Sequence, residues 1–184
     1  GQRGLGRRLP LDWGVSAHPK VDDRTGELLF FTYSKEAPYM RYGVVDDAND
    51  LVHFTDIPLP GPRLPHDMAF TENYAILNDF PLFWDPKLLQ AGVHLPGFHR
   101  DMPSRFAVIP RRGGSDEIRW FEADPTFVLH WVNAYEDGDE IVLDGFFEGD
   151  PNPVDTLTGD KYKKAFRYLA LDGLQTHLHR WRLN

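Results

Sequence analysis

The segment Thr126-Phe-Val-Leu-His-Trp-Val-Asn-Ala-Tyr-Glu-Asp-Gly-Asp-Glu-Ile-Val-Leu-Asp144 reads as a strand, a tight acidic turn and a second strand. Phe127, Val128, Leu129, Trp131 and Val132 form a nearly continuous apolar run with His130 in its middle. Asp137-Gly138-Asp139 supplies the turn, and Ile141, Val142 and Leu143 resume the strand. An imidazole inside such a run is expected to be buried. Burial is costly for it unless its nitrogens find a partner or a metal.

Two upstream stretches have the same character. Ser16-Ala-His18-Pro-Lys-Val-Asp-Asp-Arg-Thr-Gly-Glu-Leu28 and Leu64-Pro-His66-Asp-Met-Ala-Phe-Thr-Glu-Asn-Tyr74 each place one histidine at the edge of a β-like segment. His18 and His66 are 48 residues apart, and His66 and His130 are 64 apart. Ligands of a local metal loop fall within a few residues of each other. The observed gaps suit a repeat architecture of about 40–50 residues per unit, each unit offering one residue to a common axis.

The motifs AHPKVDxxTGEL, PHDxAxTENY and FxxHxxNAYEDGDEIVLDG resemble consecutive segments of the carotenoid cleavage oxygenase family, which includes carotenoid-, apocarotenoid- and stilbene-cleaving dioxygenases. RFAVIPRRGG at 105–114, IRWFEADP at 118–125 and LHRWRLN at 178–184 are also similar to it, so the likeness runs over nearly the whole chain. It implies an all-β fold, part of a seven-bladed β-propeller with a ferrous ion, Fe(2+), held by four histidines on the axis. By motif, His18, His66 and His130 correspond to three of those ligands. The fourth histidine, and the blades before the first, have no counterpart here. The chain is therefore expected to be the central portion of a longer protein. Residues 1–184 read as one partial propeller domain, truncated at both ends relative to the family, with about three to four blades.

The activity implied is Fe(II)-dependent, O2-using cleavage of a carbon–carbon double bond in a carotenoid or apocarotenoid, giving two carbonyl products. A stilbene of the lignostilbene type is the alternative substrate. A catalytically inactive propeller fragment, acting as a binding or assembly module, is the alternative role. A three-histidine zinc hydrolase is chemically allowed but ranks last, because no general base is evident nearby. Family members orient their histidines through outer-shell glutamates. Glu136 is the candidate inside the third motif, although a structural turn role suits it better.

Composition narrows the classes further. The 184 residues are 41% hydrophobic and 14% aromatic, enough for a sizeable core. A net charge of −8 gives no electrostatic footprint for nucleic acid. The chain has no cysteine, hence no disulfide framework or thiolate ligand, which fits a cytoplasmic protein. No apolar run approaches the roughly 18 residues of a membrane span. A membrane-borne polyene substrate leaves room for peripheral membrane contact. Oligomeric state is not set by the sequence.

Taken in order, residues 1–12 read as irregular and 13–17 as a short strand leading into His18. Asp22-Asp-Arg-Thr-Gly26 is turn chemistry, with a glycine able to take positive φ. Strands are expected at 28–33, 39–45, 51–57, 73–80, 105–110, 117–122, 126–135, 139–147 and 178–184, and 164–171 fits either strand or helix by pattern, with strand favoured. The stretch 81–104, broken by Pro81, Pro86, Pro96 and Pro103, allows at most a short helix near 87–91. His53 is expected to face solvent from an alternating strand, and His94 and His99 to be exposed. His177 and His179 should share one face of a strand, as either a metal pair or an ordinary half-exposed strand. Phe70, Phe83, Trp84, Phe127 and Trp131 read as tunnel lining or, more commonly, as core.

Overall fold

A computed structural model describes residues 14–94, 96–149 and 176–184. The chain forms successive antiparallel sheets, each drawn from one continuous stretch of sequence. The first has the order β1 (Lys20–Val21), β2 (Leu28–Tyr33), β3 (Tyr39–Val45) and β4 (Leu51–Pro58). Gly26 takes φ +72° in the turn between β1 and β2, as its acidic neighbours predict.

The second sheet contains β5 (Ala69–Phe70) and β6 (Tyr74–Asp79). A small excursion follows: β7 (Leu82–Trp84), the five-residue helix α1 (Pro86–Gln90) and β8 (Pro96–Phe98), with β7 paired to β8. The chain then re-enters the sheet as β9 (Ser104–Pro110), passes a 3-10 turn at Ser115–Glu117 and adds β10 (Arg119–Ala123), giving the order β10-β9-β6-β5. The third sheet is β11 (Trp131–Asp137), β12 (Glu140–Glu148) and β13 (Thr176–Leu183). Gly138, with φ +63°, closes the β11–β12 hairpin. Each sheet is a propeller blade, so the described residues form three, plus the small β7–β8 ribbon. The expected strand at 164–171 and the expected irregular residues 1–12 lie outside the described residues.

The blades stack face to face, which explains the hydrophobic pattern. Side chains alternate between the two faces of a strand. In β6 and β9 both faces are covered. Ala75, Leu77, Ala107 and Ile109 point into a core shared with Leu29, Phe31, Met40 and Tyr42 of the first blade. Their alternates Ile76, Phe106 and Val108 point into a second core with Val128, Ile141, Leu143 and Trp181 of the third. A strand buried on both sides reads as a continuous apolar run instead of an alternating one. Full burial of each Leu, Ile or Phe contributes about 1.5–3 kcal/mol, so these two interfaces hold the blades together. The outer strand β4 is mostly half-buried or exposed.

Four expectations need correction. Residues 14–19 form no strand; β1 begins only after His18, at Lys20. The apolar run 127–130 is not in the ladder either. Phe127 makes an isolated bridge to Glu148, Val128 is a fully buried plug in the second core, and β11 starts at Trp131. The 81–104 stretch holds a strand pair as well as the short helix. Asp85 caps that helix by accepting from the backbone N–H of Lys87 (2.7 Å) and Leu88 (3.1 Å). Finally, His130 is exposed, because it ends the approach to β11 instead of lying within a buried strand.

Candidate metal centre

Each histidine stands just before the first strand of its blade. His18 precedes β1 by two residues, His66 precedes β5 by three, and His130 immediately precedes β11. The same position in three successive blades brings residues distant in sequence to one place. The ring centroids are 4.6 Å (His18–His66), 4.9 Å (His18–His130) and 5.2 Å (His66–His130) apart. One ring nitrogen from each lies within 4.8 Å of the others.

The spacing of the closest pair is informative. Nε2 of His18 and Nε2 of His66 are 2.9 Å apart. Two imidazole nitrogens bound at right angles to one first-row ion, each about 2.0–2.1 Å away, would be separated by about 2.9 Å. His130 stands further off and is the exposed member of the set, so it is the ring with room to close it. The donor set is three neutral-capable nitrogens with no carboxylate among them, which suits a divalent first-row metal with open positions. Burial, followed by the neighbouring His18 and His130, holds the His66 imidazole below its ordinary pKa, while Asp67 opposes this weakly. His66 is thus biased toward the neutral form that ligation requires.

Beside the cluster lies Asp67, 2% exposed. Its Oδ1 accepts from the backbone N–H of Met68 (2.8 Å) and pairs with Lys20 Nζ (2.7 Å). Its Oδ2 accepts from the backbone N–H of Trp131 (2.9 Å). Sequence reading found no role for this residue. The available signal was an acidic side chain between a histidine and the apolar Met68, Ala69 and Phe70.

Other motif residues fasten blade to blade. Arg111 donates to Asp22 Oδ2 (2.5 Å) and Glu27 Oε2 (2.7 Å), tying the second blade to the first. The Arg111 hydrogen bond holds the Asp22 carboxyl below the usual range. Glu136 accepts from Thr71 Oγ1 (2.6 Å), Asn73 N (2.9 Å) and Asn73 Nδ2 (2.8 Å), tying the third blade to the second. Burial pushes the Glu136 carboxyl up, but these hydrogen bonds outweigh it and leave the group below the glutamate norm. Glu136 sits at the far end of β11 from His130, so its role is structural.

The remaining histidines stay apart from the centre. His94 is exposed and pairs with Lys35. His53 and His99, expected at the surface, are half-buried. His53 packs on Tyr42 with centroids 5.9 Å apart, and His99 stacks on Phe83 at 3.8 Å. His177 and His179 do share a face, packed on Phe147, and no third ligand joins them among the described residues. Phe83, Phe127 and Trp131 pack in or against the core, and Trp84 lies under the Lys35 ammonium. A cleft of about 480 Å³ runs along the inner strands, lined by Lys20, Met68, Phe70, Trp131 and Val132 among others. None of the three imidazoles lines it, so the chemistry is assigned to the imidazole cluster and not to this cleft. Among the described residues no helix is long and apolar enough to cross a membrane.

A sequence model of the family described as retinal pigment epithelial membrane protein matches residues 2–184. The chain belongs to this family, the carotenoid cleavage oxygenases. It is 37% identical over 176 residues to carotenoid 9,10(9',10')-cleavage dioxygenase 1 of Pisum sativum, covering 95% of this chain and 31% of that protein. Among solved carotenoid cleavage oxygenases, it resembles the lignostilbene dioxygenase of Pseudomonas brassicacearum at 28% identity and TM-score 0.73, over 92% of this chain and 35% of that one. It also resembles the cobalt-substituted ACO of Synechocystis at 26% identity and TM-score 0.75, over 97% of this chain and 38% of that one. The chain therefore spans about a third of the length of these relatives, and the β-propeller fold is the one it shares with them.

Proposed function

We propose that this chain supplies His18, His66 and His130 as three ligands of a ferrous centre in an enzyme that cleaves a carbon–carbon double bond with O2. The substrate class is an apolar conjugated molecule, a carotenoid or apocarotenoid, and the products are two carbonyl compounds. The observation that carries the reading is the convergence of three imidazoles from three blades, with one pair at 2.9 Å. A ferrous ion held there supplies the oxygen chemistry that protein side chains lack.

The chain's own groups have defined tasks. The three imidazoles offer lone pairs, and the crowding around His66 disfavours its protonated form. The nearby carboxylate is not available as a base, since Asp67 is already engaged by Lys20 and two backbone N–H groups. This argues against Asp67 as the base of a hydrolytic centre, which needs a free base within reach of a water. The similarity to a lignostilbene dioxygenase supports a stilbene as the second substrate reading.

The test is anaerobic Fe(II) titration of the chain beside its His18→Ala, His66→Ala and His130→Ala variants. Stoichiometric binding lost in each variant is the expected result. A folded His130→Ala chain that binds as well as the parent would overturn the ligand assignment. O2 uptake by the complete enzyme, with an apocarotenoid and with a hydroxystilbene in parallel, then separates the two substrate classes.

A further inference from the structure

We propose that Asp67 is the positioning residue of this centre: its buried carboxylate joins the three histidine-bearing segments and so sets the spacing of the imidazoles. The proposal rests on the reading of His18, His66 and His130 as ligands. Each contact of the Asp67 carboxylate falls within two residues of a histidine. Lys20, on Oδ1 at 2.7 Å, follows His18 by two. Asp67 itself follows His66, and its Oδ1 also takes the Met68 N–H at 2.8 Å. Trp131, whose N–H reaches Oδ2 at 2.9 Å, follows His130. The Asp67 carbonyl accepts from Asn78 Nδ2 at 3.0 Å, which anchors the hub to β6.

The chemistry selects an aspartate. Three donors converge on two oxygens, so both must be acceptors. An asparagine would turn its NH2 toward either the Lys20 ammonium or the Trp131 N–H. A glutamate would need room for another methylene at a site that is 2% exposed. The more familiar outer-shell carboxylate accepts directly from a ligand's second ring nitrogen. Asp67 works differently, holding the backbone and side-chain roots of the arms that carry the rings.

The experiment is a Co(II) titration of the full chain, reading affinity and the visible absorption band, with apo-protein melting temperature measured alongside. Asp67→Asn should weaken Co(II) binding about 10–100-fold, the usual scale for outer-shell changes, and shift the band while all three histidines remain. Lys20→Met frees only the His18 arm and should give a smaller loss of the same sign. Glu136→Gln cuts a blade clasp remote from the imidazoles. It should lower the melting temperature and leave affinity and band unchanged.

A folded Asp67→Asn chain within twofold of the parent, with the same band, overturns the proposal. So does an equal loss in Glu136→Gln, which would make the effect one of general destabilisation. If Asp67→Asn does not fold, Lys20→Met decides: an unchanged affinity and band overturn the proposal, and a loss with a shifted band supports it. A parent chain that binds no Co(II) removes the centre itself, an outcome distinct from failure of Asp67 alone.

Discussion

Asp79→Ala should destabilise the fold by about 3–5 kcal/mol, the cost of leaving a buried charge without its partner. Asp79 is 3% exposed and Arg63 is 5% exposed. Arg63 Nε donates to Asp79 Oδ1 at 2.5 Å, and Arg105 Nε donates to Oδ2 at 2.8 Å. Without the carboxylate, Arg63 keeps a 3.3 Å contact to the Pro62 carbonyl and the face of Phe83 at 4.2 Å. Neither replaces an ionic partner. Arg105 contributes little to the cost, because its side chain is 29% exposed and can rehydrate.

Domains of this kind are stable by about 5–15 kcal/mol in total, so the loss is a large share. It should lower the melting temperature by roughly 6–20 °C, at about 2–4 °C per kcal/mol. Urea unfolding followed by tryptophan fluorescence measures it. Replacing both partners, Asp79→Ala with Arg63→Met, should recover part of the loss, since the stranded guanidinium is gone. A single variant within about 1 kcal/mol of the parent would refute the reasoning, as would a double variant less stable than the single. Arg63 lies three residues before His66, so the ion pair also steadies the approach to His66.

Two further outcomes follow from the packing. His53, His66 and His99 are all held below the ordinary value of 6.5, with burial the first cause in each. The unfolded chain then binds more protons than the folded one. Their contribution is present above pH 6.5 and is lost as pH falls from there through the lowered folded values. Urea midpoints with chelator present should therefore drop between about pH 7.5 and about pH 5.5, and a midpoint that rises on acidification contradicts the assignment. Glu148, raised from 4.5 by burial, has the opposite sign and loses its contribution as pH rises through its folded value. Gly145→Ala would place its Cβ 2.8 Å and 2.9 Å from Trp131 ring carbons and 3.3 Å from Val128 Cγ1. The expected cost is about 1–3 kcal/mol. Because Trp131 adjoins His130, metal affinity should fall as well, and an unchanged urea midpoint would show that the ring moves freely.

The first blade was legible because its strands are bounded by turn chemistry: the strands expected at 28–33, 39–45 and 51–57 appear as β2, β3 and β4. The readings that failed involve contacts remote in sequence. Phe127, Val128 and Leu129 look like a strand, yet Val128 is apolar because it plugs the gap between two blades. The prolines of 81–104 read as breakers, but Pro96 opens a strand in a two-stranded ribbon, a place where a missing N–H is tolerated. His53 alternates correctly for an outer face, but the 113–117 segment, which carries the 3-10 turn, covers it. His18, His66 and His130 were legible as a set from their motifs, and the fold brings their rings together. Asp67 was not, because its function depends on Lys20 and Trp131, which meet it only in the folded chain.

The separation of the blades explains why so much of each motif is polar. A propeller brings one imidazole from each blade, and the three sheets share no hydrogen-bonded ladder. The placement of each blade against the next therefore rests on the contacts between them. Apolar faces attract without fixing a position, since burial is non-directional. Hydrogen bonds with charged partners are short and directional, and the chain places them where blades meet: Arg111 with Asp22 and Glu27, Glu136 with Thr71 and Asn73, and Asp67 with Lys20 and Trp131. Ser104 adds a neutral pair, accepting from Thr126 N at 2.9 Å and donating to Thr126 O at 3.1 Å. Apolar burial holds the blades together, and these polar contacts set where each blade comes to rest against its neighbour.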